Sequence, residues 1–419
     1  MAHLNDTVTC PFCGDLLVLG ALPIVATVDL GGRSAPAGAA RVAELLRTPE
    51  PASDQEGSAN PLEEPSMQAA EPSGGRWDVL AAAPLDEAIE PGRLRRVFGG
   101  GERLPSVTEL AAAELRPARL CTSCEHPLPP VIDDRDYFTI GVVGINRASK
   151  THFLTALVHD IYYNDSLGSL GCSEFEPDGK TDEIYRRDYY SRVFELNLAQ
   201  LPTAEKLRRP SAFEPLVYRT TFPGVRPIAL MFHDVAGEDL SKHDKRREIA
   251  PFLTRADALI FVIDPRWLPG LRSSLDRGGD PAPNFEQMSV FSNVLHELED
   301  HAGGAGSAID VPVVVALSKS DLLRPLVGDR PRFMSPAPSG SKEEWFNDLR
   351  IVDGEIRELF GKYGGRPMLR TAERLRKISF CAMAPIGSQP EGEAIREMRP
   401  LRVADPLVSV LRDIDHFRL

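Results

Sequence analysis

The sequence predicts an α/β protein, in which a mostly parallel sheet covered by helices follows a small cysteine-containing module. Three observations carry this prediction. From residue 137 onward, short apolar runs alternate with stretches of helical spacing, as in parallel sheets buried on both faces. The stretch "GVVGINRASKTHFLTAL" places a glycine-containing loop between the first such run and a helical segment. Two C-x-x-C pairs stand in the N-terminal part of the chain.

Composition limits the classes of function. The chain has 419 residues and 42% hydrophobic content, enough for a substantial core. A net charge of -13 argues against binding to nucleic acid or anionic lipid. The basic run Lys242 to Arg247 is interleaved with acidic residues and fits a solvated helix face. The apolar run Leu16 to Val28 is too short to span a bilayer and no basic leader precedes it, so we expect a cytoplasmic protein without a transmembrane segment.

The cysteine pairs predict a metal site. Cys10 with Cys13 and Cys121 with Cys124 have the spacing in which each tight turn offers two thiolates to one tetrahedral zinc ion. Four thiolates leave no open position, so the expected zinc is structural; a redox dithiol is the alternative for either pair. His126, which lies close to Cys124 in the sequence, is interpreted as a surface residue and not as a zinc ligand. The other two cysteines, Cys172 and Cys381, are interpreted as ordinary residues of the α/β domain.

Composition also divides the chain into segments. Residues 1–31 and 116–134 form the two halves of a predicted split zinc ribbon. Between them, residues 32–115 are rich in Pro, Ala, Gly and Glu and predict a largely disordered insert, with a short helix possible around 80–98. Loop closure costs little more for a long insert than for a short one, so the two halves can still share a metal. Residues 135–419 form the predicted α/β domain.

Six strands are predicted in the α/β domain. Five are the apolar runs "YFTIGVVG", "PIALMFHD", "ADALIFVID", "VPVVVALS" and "KISFCAMA", and the sixth, "EPLVYRTTF", alternates as a strand does. Helices are predicted over residues 285–299, 342–360 and 406–414, with a further helix after the first strand.

The loop after the first strand resembles the phosphate-binding pattern G-x-x-x-x-G-K-[ST] with its last glycine replaced by Ser149. Gly144 would make the turn, Lys150 would neutralise the β and γ phosphates, and Thr151 would coordinate Mg²⁺. We expect Ser149 to be tolerated in a right-handed conformation with its side chain turned from the phosphates. An ordinary strand-loop-helix junction is the alternative. The remaining loop residues expected to face the nucleotide are Asn146, Arg147 and Ala148.

Two further motifs follow later strands. Asp234 and Gly237 form D-x-x-G, in which the carboxylate can hold a Mg²⁺-bound water and the glycine N–H can meet the γ-phosphate. In "SKSD", Asp321 can accept two N–H groups of guanine and the stem of Lys319 can lie over the base. The alternative for this second motif is helix capping by Ser318 or Ser320.

Taken in this order, the motifs resemble those of TRAFAC-class P-loop GTPases, the translation-factor-related class that includes Ras-like G domains. The resemblance is greatest to bacterial double-GTPase families associated with conflict or defence systems. It implies a G domain with strand order 2-3-1-4-5-6 and an antiparallel second strand. It also implies a loop after the last strand that meets guanine O6 through a backbone N–H, placed here at Cys381 and Ala382. Thr203 would be the Mg²⁺-binding threonine of the first switch, with Thr181 as its rival.

Catalysis is the least determined feature of the sequence. Glu238 stands where Ras-like enzymes carry a water-orienting glutamine, and a switch-helix acid is its alternative interpretation. Candidates for a charge-stabilising arginine are Arg147, Arg208 and Arg209. We therefore expect a GTP/GDP switch with slow or partner-dependent hydrolysis, whose zinc ribbon or switch regions contact a protein partner. The alternatives are a degenerate G domain that acts as a scaffold, or an ATP-dependent P-loop kinase or ATPase, which has no use for "SKSD".

Overall fold

The structure is a computed structural model of the full chain. The structure describes the following residues: 7–18, 22, 24–29, 77–82, 116–119, 121–124, 128–133, 135–144, 148–200, 215–235, 253–275, 286–304, 309–388 and 390–414. Contacts between Cα atoms divide the chain into two units. The first comprises residues 1–10, 16–130 and 209–211, and the second comprises residues 11–15, 131–208 and 212–419.

The first unit contains two small antiparallel sheets. Strands β1 (Thr7–Thr9) and β2 (Leu16–Val18) form a hairpin pair. Strand β3 (Ile24–Asp29) lies between β4 (Trp77–Ala82) and β5 (Arg116–Arg119). Strand β4 lies within the predicted insert, so the predicted helix around 80–98 is wrong at residues 80–82. The backbone there is extended because it pairs with β3, and such pairing overrides weak local helix propensity. Residues 83–98 lie outside the described part of the chain.

The second unit is built on a seven-stranded sheet with the order β12-β11-β10-β6-β9-β8-β7. Its strands, in chain order, are β6 (Asp136–Val143), β7 (Glu174–Pro177), β8 (Leu216–Thr221), β9 (Ile228–Asp234), β10 (Ala258–Ile263), β11 (Val313–Leu317) and β12 (Ile378–Ala382). Five neighbouring strands are parallel, whereas β8 and β7 run antiparallel to their partners. The predicted α/β class with a mostly parallel sheet is confirmed.

The number of strands differs from the prediction. Six strands were expected, and β7 is a seventh that pairs with the edge of β8. Its sequence "EFEP" is short and carries two acids, so it shows neither the apolar runs nor the longer alternation by which the other six were predicted. Without β7, the six expected strands lie in the order 2-3-1-4-5-6.

Helices connect and cover these strands. Among the described residues, the second unit contains the α-helices α1 (Lys150–Asn164), α2 (Thr181–Ile184), α3 (Pro269–Leu275), α4 (Glu286–His301), α5 (Arg324–Val327), α6 (Lys342–Lys362), α7 (Arg366–Ala372) and α8 (Asp405–Asp413). A π-helix follows α2 over Tyr185–Glu195. Short 3₁₀ turns cover Pro130–Asp133, Gly168–Leu170, Pro265–Trp267, Ser320–Leu323 and Arg332–Met334.

The long helix α6 shows how local sequence sets an element boundary. Ser341 accepts a hydrogen bond from the Glu344 N–H, and the Glu344 carboxylate accepts one from the Ser341 N–H, both at 3.3 Å. This capping box satisfies two backbone donors that a helix start otherwise leaves free. The helix therefore begins at Lys342, as its apolar spacing predicts.

The centre of the sheet is apolar throughout. Every residue of β10 and β11 is buried, as expected for parallel strands covered on both faces. Because β6, β9, β10, β11 and β12 are mutually parallel, their carboxyl ends meet at one edge of the sheet. The predicted phosphate, magnesium and base motifs all follow strands that end at this edge.

Candidate functional site

The loop after β6 begins with a glycine that has no room for a side chain. A Cβ atom at Gly144 would lie 2.4 Å from the backbone oxygen of Val262 in the neighbouring strand β10. The close approach requires glycine at the first position of the motif. Ala148 is fully buried at the other end of the loop. Asn146 and Arg147 lie outside the described residues, so their predicted contacts remain predictions.

Ser149 does not adopt the conformation that the sequence led us to expect. Its φ of 71° and ψ of 25° place it in the left-handed region, where a glycine is usual. The expected right-handed conformation is wrong because the chain turns into α1 at this residue, and the turn demands the same backbone geometry whichever residue occupies it. The serine therefore keeps the glycine's backbone path at a cost of roughly 1–2 kcal/mol.

The lysine of the motif folds back over its own loop. The Lys150 ammonium donates a hydrogen bond of 2.7 Å to the Gly144 carbonyl oxygen, and the side chain is buried. This contact joins the two ends of the loop and keeps a positive charge beside the N-terminus of α1. Both the ammonium and the helix start favour an anion there.

A threonine and an aspartate meet beside this lysine. The Thr151 hydroxyl donates a hydrogen bond of 2.6 Å to Oδ2 of Asp234, at the end of β9. The other carboxylate oxygen, Oδ1, is buried and makes no hydrogen bond within the described residues. A buried carboxylate oxygen without a donor is costly, and a hard cation or its water would satisfy it. The oxygen set at this position therefore fits Mg²⁺.

The other residues predicted to act on the phosphates, Mg²⁺ or the attacking water fall outside the described part of the chain. They are Thr203, Arg208, Arg209, Gly237 and Glu238. The described chain nevertheless comes close to the phosphate-binding loop at Gln200. Its backbone N–H donates a hydrogen bond of 2.9 Å to Nε2 of His152. His152 directly follows Thr151, and Thr203 stands three positions after Gln200.

Thr181, the alternative candidate for the switch threonine, has a structural role. Thr181 is the first residue of α2 and is buried, and its hydroxyl accepts a hydrogen bond of 2.9 Å from the Val217 N–H. Its side chain therefore pins the start of α2 to strand β8. The assignment of the metal-binding threonine to Thr203 stays a prediction.

The "SKSD" motif follows β11 at the same edge of the sheet. The Ser318 hydroxyl donates to the Ile263 carbonyl at 2.9 Å, and Lys319 is the residue before the 3₁₀ turn, with a left-handed φ of 51°. The alternative interpretation, capping by Ser318 or Ser320, does not hold for this turn, because its N-cap residue is Lys319 and makes no side-chain hydrogen bond. The Ser320 hydroxyl is buried and makes no hydrogen bond within the described residues, which leaves a donor free beside Asp321.

Asp321 is a partly buried acid at the start of this turn. Burial raises its pKa, while the backbone N–H and the charge of Lys319 oppose the rise. An acid whose ionised form is poorly solvated gains from a ligand that donates hydrogen bonds to it. The adjacent N–H groups of guanine are such donors.

The predicted guanine O6 contact needs a correction in its placement. Cys381 and Ala382 were assigned to a loop, but they are the last two residues of β12, paired with Ala316 and Leu317 of β11 and fully buried. The loop begins at Met383, because apolar residues extend the pairing to the end of β11. Their role toward a nucleotide stays a prediction.

Sequence reasoning missed one charged residue of this edge, Asp264. It follows β10 and is buried, and Oδ2 lies 2.9 Å from the ammonium of Lys319 and 2.7 Å from Nη2 of Arg266. Burial acts to raise the pKa of Asp264, but these two cations outweigh it and lower the pKa to about 2. An acid directly after the fully apolar run "ALIFVI" was the available signal. Asp264 holds Lys319 against the sheet edge.

The cysteine pairs come together as the spacing predicts. The four thiol sulfurs of Cys10, Cys13, Cys121 and Cys124 lie within 4.8 Å of one another, and those of Cys10 and Cys124 are 3.7 Å apart. A tetrahedral zinc with Zn–S bonds of about 2.3 Å places its sulfurs roughly 3.8 Å apart. A disulfide needs about 2.05 Å, so the spacing fits a shared metal rather than disulfides.

Among the described residues, no helix is both long and apolar enough to cross a membrane.

Comparison with known proteins gives one curated relative. The chain is 25% identical, over 340 residues, to the "Putative ESX-1 scaffolding and assembly protein SaeC" of Mycolicibacterium smegmatis, covering 72% of this chain and 82% of that protein. No family model matches the chain.

Several solved structures of GTP- or GDP-bound proteins are similar to parts of the chain. An Era variant from Aquifex aeolicus bound to GDP and AlF4- is 14% identical with a TM-score of 0.26, and the match covers 66% of this chain but only 56% of Era. The signal recognition particle receptor SRb-GTP/SRX complex from Chaetomium thermophilum is 18% identical with a TM-score of 0.26, covering 61% of this chain and 94% of that one. The GTP-bound Ski7 GTPase-like domain of S. cerevisiae is 12% identical with a TM-score of 0.30, covering 68% and 52%. TM-scores this low do not assign an activity.

Proposed function

We propose that the protein binds guanine nucleotide with Mg²⁺ at the carboxyl edge of its large sheet and hydrolyses GTP slowly as a molecular switch. The observation that carries the proposal is the contact between Thr151 and Asp234, with a buried carboxylate oxygen left free, beside the buried ammonium of Lys150. A phosphate-binding loop and a hard-cation site thus share one position, as Mg²⁺-nucleotide binding requires.

Each residue of this edge has a task in the proposal. Lys150 and the N-terminus of α1 bind the β and γ phosphates, and Thr151 with Asp234 holds Mg²⁺, which neutralises phosphate charge when bound. Asp321 accepts hydrogen bonds from guanine. Thr203 binds Mg²⁺ when the γ-phosphate is present, and Glu238 orients the attacking water; these last two assignments rest on sequence position.

Calorimetric titration with GTP and with ATP, each with Mg²⁺, tests the proposal. We expect GTP to bind at least about tenfold more tightly, since ATP offers Asp321 no matching pair of donors. Asp321→Asn should weaken GTP binding and shift preference toward xanthine nucleotides, whereas the exposed control Asp329→Asn should change neither. Tighter binding of ATP than of GTP would refute the guanine assignment.

A second candidate function is a scaffold whose G domain does not turn over. The name of the relative supports it, since that protein is described as a scaffolding and assembly protein. The left-handed Ser149 is compatible with it, because the strained loop can bind a nucleotide without efficient hydrolysis. Phosphate release from GTP separates the two: no release, even with partners present, favours the scaffold. The association with conflict or defence systems remains a prediction from the resemblance.

We propose further that the four thiolates bind one structural zinc ion, with no open coordination position for catalysis. Their mutual distances support a single shared ion. We infer that the zinc-bound turns, together with the switch segments, serve contacts with a protein partner.

A further inference from the structure

The segment that connects α1 to β8 makes hydrogen bonds with α1 near Lys150 and Thr151, which form the phosphate end of the proposed nucleotide site. Besides the bond from its N–H to His152, Gln200 donates from its side-chain amide to the Thr155 hydroxyl at 3.2 Å. The π-helix earlier in the segment is tied to the same helix, since the Tyr185 hydroxyl donates to the Thr155 carbonyl at 2.9 Å. The segment is therefore hydrogen-bonded to α1 at His152 and Thr155, close in sequence to Thr151, the proposed Mg²⁺ ligand.

The same segment also pairs with the loop that follows β12. The Ala199 N–H donates to the Glu393 carbonyl at 2.7 Å, and the Ile395 N–H donates to the Asn197 carbonyl at 2.8 Å. Leu198 and Ala394 thus form an antiparallel bridge. The two partners are far apart in the sequence, so only the tertiary fold brings them together.

One arginine reinforces this bridge from the π-helix. The Arg192 guanidinium donates through Nε to the Ala199 carbonyl at 2.5 Å and through Nη2 to the Glu393 carboxylate at 2.8 Å. It therefore contacts both sides of the bridge at once. The Glu393 side chain is 70% exposed, so water competes for the ion pair and the contact can open.

The loop after β12 begins beside Ser320 and Asp321, which form the base end of the proposed site. The Ser320 N–H, next to Asp321, donates to the Met383 carbonyl at 3.1 Å. Ala384 and Leu401 exchange backbone hydrogen bonds of 2.9 and 3.0 Å, which close the base of the loop. The loop therefore starts beside the guanine-reading acid and extends to the segment that lies beside the phosphates.

We propose that residues 197–199 and 393–395, with Arg192, form a clamp that retains the nucleotide and sets the rate of its release. The clamp connects the segment hydrogen-bonded to His152, next to Thr151, with the loop hydrogen-bonded to Ser320, next to Asp321. Its opening would let these two parts of the proposed site separate and release the nucleotide. Two backbone hydrogen bonds and one exposed ion pair make the clamp weak enough to open without unfolding the domain. This inference rests on the proposed nucleotide site.

Release of a fluorescent GDP analogue from the full-length protein tests the clamp. Arg192→Ala and Glu393→Ala should each accelerate release about two- to fivefold, the factor that an exposed ion pair and its hydrogen bonds contribute. The double charge exchange Arg192→Glu with Glu393→Arg should recover part of the slow release. The matched control is Arg396→Ala, which breaks an exposed ion pair with Glu391 within the same loop and should leave the rate unchanged.

A reversible cross-link tests the clamp in the other direction. The hydrogen bonds flank the Leu198–Ala394 pair, which places such Cα atoms about 4.5 Å apart and within reach of a disulfide. In the variant Leu198→Cys with Ala394→Cys, oxidation should slow GDP release about tenfold or more, and a reductant should restore it. The two single-cysteine variants under the same oxidant control for effects on the native thiols.

The outcomes separate the clamp from the function on which it rests. Wild-type protein that binds GDP but whose release rate is unchanged by both the Arg192 variant and the cross-link overturns the clamp and leaves the nucleotide site standing. Equal acceleration by Arg396→Ala also overturns it, because general loosening of the loop would then explain the effect. Wild-type protein that binds no guanine nucleotide overturns both proposals.

Discussion

At the scale of single residues, Ser149 departs from the phosphate-loop pattern in residue type but not in backbone conformation. The left-handed geometry required by the turn into α1 is unchanged, and the serine carries a Cβ atom into it. This local strain is the kind that persists where surrounding contacts determine the path, here the contact of Lys150 with Gly144 and the packing of Gly144 against β10.

Replacing Ser149 with glycine should therefore stabilise the protein. We expect Ser149→Gly to raise the free energy of unfolding by roughly 0.5–1 kcal/mol, because relief of left-handed strain exceeds the added entropy of the unfolded chain. Ser149→Ala, which keeps the Cβ, should give no such gain. Denaturant unfolding measures both variants. GTP binding should be preserved or tightened by Ser149→Gly, and a large loss would mean that the hydroxyl itself contacts the nucleotide.

Asp264 acts at the same scale through charge. Its pKa of about 2 lies below the ordinary value of 3.8, so ionised Asp264 stabilises the folded protein above about pH 4. That contribution is lost as the pH falls toward 2, where the carboxylate takes up a proton. It is also the contact that restrains Lys319.

Asp264→Asn should make the protein less stable at neutral pH by about 2 kcal/mol, and the difference from wild type should shrink between about pH 4 and 2. Chemical denaturation across this range measures the effect. The control is Asp310→Asn, whose ion pair with Arg376 is exposed and should contribute less than about 1 kcal/mol. A deficit that does not change with pH would show that packing, rather than charge, is responsible.

At the scale of structural elements, the cysteine turns depend on one another. Each C-x-x-C turn supplies two thiols, and Cys10 and Cys124 come from turns separated by roughly a hundred residues of sequence. A metal ion that joined these two distant turns would contribute directly to folding, because its binding free energy is available only when both turns are in place.

The zinc prediction follows from this dependence. Metal analysis should find one zinc per chain in the wild-type protein, and Cys124→Ser should lower its affinity strongly enough that a chelator removes it. Cys172→Ser is the matched control, since Cys172 instead donates its thiol to the Glu174 carbonyl. Retention of zinc by Cys124→Ser against the same chelator would contradict the site.

At the scale of the whole molecule, the fold class and most strands could be predicted from the sequence because long apolar runs need no partner to be recognised. Five of the seven strands in the large sheet carry such runs, and β8 is predicted from its alternating pattern. The seventh, β7, exists because β8 offers it an edge, and two acids in four residues hide it from any hydrophobic pattern. Strand β4 was also missed, because it is extended through its pairing with β3, and this pairing is a tertiary contact.

The sequence by itself determined which residues are candidates for the site: Lys150 and Thr151 after one strand, Asp234 and Asp321 after others, and four cysteines in two turns. These assignments depend on residue type and on order along parallel strands, which local pattern reveals. Only the tertiary structure decided the left-handed backbone of Ser149, the ion pair of Asp264 with Lys319, and the bridge between Leu198 and Ala394. Each of these depends on the distance between segments remote in sequence or on a backbone path set by its surroundings, and neither is encoded in a short window of residues.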